Sequence, residues 1–140
     1  MRFQKAQVLE IAKIGKDTLR TWKKCIAPLS EIDARGRRFT LAELMGICLL
    51  AKASQGLGIP ISRFKQHAQA LFESLESQIP PAGIPQVLCI IPDTMFFAPE
   101  TALPAPDAVV YIKVASIFYD ITLVVHSIAP PTPVQLKLPF

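Results

Sequence analysis

The prolines of this 140-residue chain are crowded into its second half. Eleven of the 13 prolines lie between Pro80 and Pro139, whereas only Pro28 and Pro60 precede them. Because proline lacks a backbone N–H and breaks the interior of a helix, long helices are expected mainly before residue 79. A Pro-Pro-Ala-Gly run at 80–83 is typical of a linker. We therefore predict an α+β protein, with a helical domain at 1–78 and a small β-rich module at 79–140.

Charge is distributed as unevenly as proline. Residues 1–76 hold 13 Lys/Arg against 7 Asp/Glu, a net of +6, whereas residues 77–140 hold 2 against 4, a net of −2. The first part is therefore expected to carry any site for an anionic partner. Hydrophobic residues make up 51% of the chain, which is enough for a packed core.

Neither a cofactor nor a metal site is predicted. Cys25, Cys48 and Cys89 are odd in number and lack zinc-ligand spacing, so free thiols in a reducing cytoplasm are expected. The apolar run at 108–129 is long enough to suggest a membrane span. Charged residues interrupt it, however, and its β-branched residues favour strands. We expect a cytoplasmic protein with no membrane partner.

The start of the chain fits two short helices, at 4–11 and 16–24, locked at a steep angle. Their inward positions are Val8, Ala12, Ile14, Leu19 and Trp22. The outward or flanking positions of the second helix carry Lys16, Thr18, Arg20, Thr21, Lys23 and Lys24. Arginine can pair with guanine or clamp a phosphate, and threonine hydroxyls can bind phosphates or bases. This pattern indicates a DNA-recognition helix; the alternative is a solvated cationic helix.

A basic turn and two further helices are expected next. Residues 29–39 are predicted to form a wing, in which Gly36 permits a tight turn and the cations Arg35, Arg37 and Arg38 project. A solvated hairpin is the alternative. Thr40 and Glu43 form a capping box that opens a third helix, apolar enough to be central. A fourth helix is expected from Ser62, with apolar residues at helical spacing: Phe64, Ala68, Leu71, Phe72 and Leu75.

Three segments of the chain resemble three segments of one protein family, and they occur in the same order as in that family. Residues 17–23 read Asp-Thr-Leu-Arg-Thr-Trp-Lys, residues 38–44 read Arg-Phe-Thr-Leu-Ala-Glu-Leu, and residues 55–64 connect the third and fourth helices. They are similar to the recognition helix, wing exit and connector of MerR-type and excisionase-like winged helix-turn-helix regulators. The resemblance covers residues 3–75 and implies DNA contacts by Arg20, Trp22, Lys23 and Arg38. Lys13 replaces the family's turn glycine, and the family's long dimerisation helix is missing after residue 75.

The second half is expected to form a small sheet. Strands are predicted at 86–91, 108–114 and 117–128, with an edge strand at 134–138. Its apolar groups include Phe96, Phe97, Phe118, Tyr119 and Phe140. So small a module gains stability by pairing with another copy or by packing on the helical part. Homodimerisation is our first interpretation of it, and binding of a small apolar effector is the alternative.

These patterns predict a sequence-specific regulator that binds double-stranded DNA as a homodimer, with two copies reading two half-sites. The alternative is a protein-interaction adaptor that uses the basic helical face on an acidic partner. An enzyme is not expected. His67 and His126 lie in different predicted domains, and neither has a nucleophile or metal partner nearby in the sequence.

Overall fold

The computed structural model describes residues 2–32, 38–77, 86–92, 94–104 and 109–128, the last four as backbone only. Its α-helices are α1 (Lys5–Ala12), α2 (Lys16–Cys25), α3 (Ala27–Ser30), α4 (Leu41–Ala51), α5 (Ala68–Ser77) and α6 (Val114–Ile128). Its strands are β1 (Arg2–Phe3), β2 (Phe39–Thr40), β3 (Gln86–Ile90), β4 (Met95–Pro99) and β5 (Val110–Lys113). A π-helical turn continues α4 over Lys52–Gly56, and 3₁₀ turns occupy Ile61–Phe64 and Glu100–Ala102. The predicted α+β class is confirmed.

The helices of the first half begin and end close to the predicted positions. Helices α1 and α2 each match their prediction to within one residue. The capping box before α4 is present: the Thr40 backbone N–H donates to the Glu43 carboxylate at 2.8 Å, and the Glu43 N–H donates to the Thr40 hydroxyl at 3.1 Å. Helix α4 contacts α1, α5 and α6, so its predicted central position is also confirmed.

Two predictions for the first half need correction. The start of the predicted wing at 29–39 is helical, because α3 runs from Ala27 to Ser30 with Pro28 in its first turn, where proline costs no hydrogen bond. The predicted fourth helix is divided into the 3₁₀ turn at Ile61–Phe64 and α5. Its five expected inward residues are nevertheless all buried. The predicted wing tip at 33–37 lies outside the described residues.

The described residues form two antiparallel sheets. In the smaller, β1 pairs with β2, placing Phe3 opposite Phe39. In the larger, β3 lies between β4 and β5. Strand β3 is buried on both faces: Leu88 and Ile90 join the main core, and Val87 and Cys89 form a small cluster on the other face. The predicted strand at 86–91 is therefore confirmed over residues 86–90.

The strand predicted at 117–128 is wrong, because these residues belong to helix α6. The buried residues Val114, Ile117 and Ile121 are spaced by three and four, which is the helical period. The Thr122 hydroxyl donates to the Phe118 carbonyl one turn earlier, at 2.8 Å, and so is satisfied within the helix. Packing against α4 and β3 thus overrides the β propensity of the valines and isoleucines. The strand predicted at 108–114 survives in shorter form as β5.

Residues from both halves share one hydrophobic core. Leu88 and Ile112 of the larger sheet and Ile117 of α6 belong to the same buried cluster as Leu44 of α4. The Arg63 guanidinium also donates across to the Ile91 carbonyl at 2.8 Å. Packing on the helical part, one of the two expected ways to stabilise the second half, is therefore present. The domain boundary at residue 78 stays a prediction.

Lys13 closes α1 in a left-handed conformation, with φ 57° and ψ 45°. A side chain raises the energy of this conformation by about 1–2 kcal/mol, and glycine avoids most of that strain. We expect Lys13→Gly to raise the free energy of unfolding by about 1 kcal/mol, measured by urea denaturation. Lys13→Ala is the matched control, because alanine keeps the Cβ and should leave stability nearly unchanged. A glycine variant less stable than the alanine variant would contradict this assignment of strain.

Gly46 lets the ring of Phe72 lie against the backbone of α4. A Cβ added at Gly46 would lie closer to the Phe72 ring than van der Waals contact allows, and that ring is itself buried. We expect Gly46→Ala to lower the free energy of unfolding by about 1–3 kcal/mol despite the higher helix propensity of alanine. Gly56→Ala is the control, because nothing lies within 4 Å of that added methyl. Adding Phe72→Leu to Gly46→Ala should recover part of the loss; a fully additive double variant would argue against the contact.

Candidate nucleic-acid interface

The turn between α1 and α2 is short, and a hydrogen bond and a buried side chain fix it. It consists of Lys13, Ile14 and Gly15. The Ile14 backbone N–H donates to the Leu9 carbonyl at 3.2 Å, and the Ile14 side chain is buried. Gly15 then takes an extended conformation as the N-cap of α2. The angle between the two helices is thus set by a left-handed residue, a buried isoleucine and an extended glycine.

The inner face of α2 is apolar. Leu19 and Trp22, three residues apart, are 0% and 3% exposed, and both belong to the main core with Val8 and Ala12. Together with Ile14, all five residues predicted to point inward are therefore buried. Trp22 was also a candidate for DNA contact by resemblance, but at 3% exposure its side chain leaves almost no surface for a base or phosphate. We therefore assign Trp22 to the core.

The outer face of α2 carries a row of three cations. Lys16, Arg20 and Lys24 are all exposed and follow one another at intervals of four residues. Each step along the helix axis is about 6 Å, so the row spans about 12 Å. We call Lys16, Arg20 and Lys24 the cationic row; all three stay exposed, whereas Leu19 and Trp22 of the same helix are buried.

Neighbouring polar groups modify the cationic row. The Arg20 guanidinium lies 3.4 Å from the Asp17 carboxylate, and the two side chains are 62% and 91% exposed. So exposed an ion pair contributes little to stability. The Arg20 guanidinium can therefore leave the Asp17 carboxylate and bind a phosphate instead. The Thr21 hydroxyl donates to the Asp17 carbonyl at 3.0 Å and must give up that bond before it donates to DNA. Thr18 is half-buried at the flank.

The residue after Arg38, Phe39, lies close to the C-terminal half of α2. The Lys23 ammonium is 5.7 Å from the centre of the Phe39 ring, which ties α2 to the start of β2. Phe39 is fully buried and Arg38, the residue before it, is exposed. Adjacent residues of an extended chain point to opposite sides, so Arg38 points away from the core. The other predicted wing cations, Arg35 and Arg37, lie outside the described residues.

Sequence reasoning missed an ion pair that joins the two halves. Lys52, on the π-helical turn, lies 3.7 Å from Asp120 on α6. Asp120 was assigned to a strand, so nothing in the sequence connected it with Lys52. Among the described side chains, no cluster of three or more His, Cys, Asp and Glu is placed to bind a metal ion. Within the same residues, no helix has the length and apolar character needed to cross a membrane.

The chain matches no protein-family model, no curated protein and no solved structure. The functional argument therefore depends on the geometry of α2 and its surroundings.

Proposed function

We propose that this protein is a sequence-specific regulator that binds double-stranded DNA through a winged helix-turn-helix of the MerR type. Helix α2 would lie in the major groove, and the segment ending at Arg38 would contact the backbone or the minor groove. The observation that carries the proposal is the exposed cationic row of α2, a helix whose inner side, Leu19 and Trp22, is buried in the core.

The dimensions of α2 suit this role. Ten residues give a helix about 15 Å long, and the major groove is about 12 Å wide, enough to admit an α-helix. The three-residue turn and the buried Ile14 support a fixed angle to α1, so that α2 would enter the groove without a separate ordering cost. Arg20 is suited to a guanine edge, and Lys16 and Lys24 to phosphates on either side.

The regulator would act as a homodimer, because one module buries little DNA surface and binds weakly. Residues 79–140 would supply the contact between copies. Support comes from large apolar side chains in this part that stay exposed, among them Tyr119 at 55% and Leu123 at 51% on α6 and Tyr111 at 41% on β5. Two copies related by a two-fold axis would present two copies of α2 to two half-sites.

Selection of bound sequences from random duplexes by the purified full chain tests this proposal. We expect a palindromic motif whose half-sites are about 10 base pairs, or a multiple of that, apart. The affinity for the selected duplex should fall steeply with salt, with a slope near −0.9 per neutralised phosphate. Salt-sensitive binding without any enriched sequence would contradict a sequence-specific regulator. Absence of duplex binding would leave the alternative, an adaptor that binds an acidic protein through the same face.

A further inference from the structure

A groove of about 490 Å³ lies between the end of α1, the π-helical turn after α4, and α6. Its walls are helical stripes: Cys48, Ala51, Lys52 and Gln55 on one side, and Ile117, Asp120, Ile121 and Val124 on the other. Each stripe follows the i, i+3, i+4, i+7 spacing of a single helix face. Ligand sites in proteins commonly have volumes of about 300–1,000 Å³.

The floor of the groove is apolar. Ala51, Ile117 and Ile121 are buried, and Ile11 and Ala12 close the end next to α1. The Cys48 thiol is neutral at physiological pH, because burial, reinforced by the negative charge of Asp120 and opposed by Lys52, raises its pKa to about 12. A neutral thiol is a weak hydrogen-bonding group, so the floor suits an aliphatic chain or a ring.

The rim of the groove carries more positive than negative charge. Among the described residues that line it, Lys52 and Lys13 are the cations and Asp120 is the carboxylate. The Lys52 and Asp120 side chains are 46% and 62% exposed, and their charged atoms are 3.7 Å apart, too far for a short hydrogen bond. A ligand carboxylate can therefore displace Asp120 and bind Lys52 more closely, with Lys13 adding a second cation.

We propose that this groove is a binding site for a small amphipathic monocarboxylate. The apolar body of the ligand lies on the floor between α4 and α6, and its carboxylate binds Lys52 at the rim. The cation excess at the rim selects the anionic head, and the buried alanine and isoleucines select the body.

The test uses the full chain and sodium decanoate, kept below the concentration at which it forms micelles. We expect saturable binding at one molecule per chain, with NMR shifts concentrated on the methyl groups of Ala51, Ile117 and Ile121. Lys52→Gln should weaken decanoate binding about tenfold, as loss of a charge-assisted hydrogen bond implies. Asp120→Asn should strengthen it severalfold, because the competing carboxylate is removed.

Two controls separate this site from general apolar adsorption. Lys113→Gln also removes an exposed lysine paired with a carboxylate, since Lys113 lies 3.6 Å from Glu100, and it should leave decanoate binding unchanged. Decanol, which has no charge, should bind more weakly than decanoate, and its affinity should not respond to Lys52→Gln.

Three results would overturn the inference: binding that never saturates, equal decanoate affinity in Lys52→Gln and the unchanged protein, or shifts centred on Phe96 and Tyr111 of the sheet. No DNA is present in this test. Its outcome is therefore independent of whether the protein binds a duplex.

Discussion

Replacement of Arg20 and Lys24 by glutamine is expected to lower affinity for the selected duplex about 100-fold. One arginine contact to a base edge contributes about 1–3 kcal/mol, and each lost phosphate contact also reduces the salt slope by about 1. Both side chains are exposed, so the substitutions should leave the fold intact. Fluorescence anisotropy with a labelled duplex at several salt concentrations measures the affinity and the slope together.

Two further variants serve as controls for this loss of affinity. Lys113→Gln removes an exposed lysine from β5, far from the cationic row in sequence, and should change affinity less than about twofold. Arg20→Lys keeps the positive charge but loses the planar guanidinium, which can donate two parallel hydrogen bonds to one base. It should therefore preserve the dependence of affinity on salt and relax the sequence preference. If Arg20→Gln/Lys24→Gln bound the duplex as tightly as Lys113→Gln, α2 would not be the recognition helix.

Trp22→Ala is expected to destabilise the fold by about 3–5 kcal/mol, the usual cost of removing a large buried aromatic side chain. The ring is 3% exposed and lies in the main core with Leu19. Because Trp22 is the only tryptophan, unfolding in urea must be followed by circular dichroism rather than by its fluorescence.

Trp22→Phe separates a core role from a DNA-contacting role. Phenylalanine keeps most of the buried volume, so the variant should remain folded and bind the duplex within about threefold of the unchanged protein. A folded Trp22→Phe protein that lost duplex affinity as severely as Arg20→Gln/Lys24→Gln would show that the indole reaches DNA.

The local features of the first half were accessible from the sequence because short-range chemistry determines them. The capping box depends on two residues three apart, Thr40 and Glu43, and both of its hydrogen bonds form. The inward assignment of Leu19 and Trp22 depends on helical spacing alone, and both are buried. The family resemblance placed Lys13 where the family has a turn glycine, and Lys13 is left-handed, with φ 57°.

The second half was harder to predict because its structure depends on distant partners. Ten of the 15 residues of α6 are hydrophobic, and their positions fit both a strand alternation and a helical spacing. Its packing against α4 decides the outcome, and that contact joins segments separated by more than 60 residues. Strand β4 was not predicted, because Phe96 and Phe97 were considered only as apolar groups, exposed or in the core, and because Pro99 weakens its strand signal.

The candidate site also combines features that local spacing determines with features that tertiary packing determines. The cationic row follows from the spacing of Lys16, Arg20 and Lys24 within one helix, and the structure places all three on the exposed face. The proximity of Lys23 to Phe39 and of Lys52 to Asp120 depends on tertiary packing. No local pattern indicates either pair.

The most direct measurement of the central claim is an NMR study of the full chain bound to its selected duplex. We expect nuclear Overhauser contacts between the side chains of Arg20 and Lys24 and protons on base edges or sugars lining the major groove. Contacts from Arg38 should fall on the sugar–phosphate backbone or in the neighbouring minor groove. A bound duplex whose contacts come from α5 or the larger sheet, with the α2 signals unshifted, would contradict the assignment of α2 as the recognition helix.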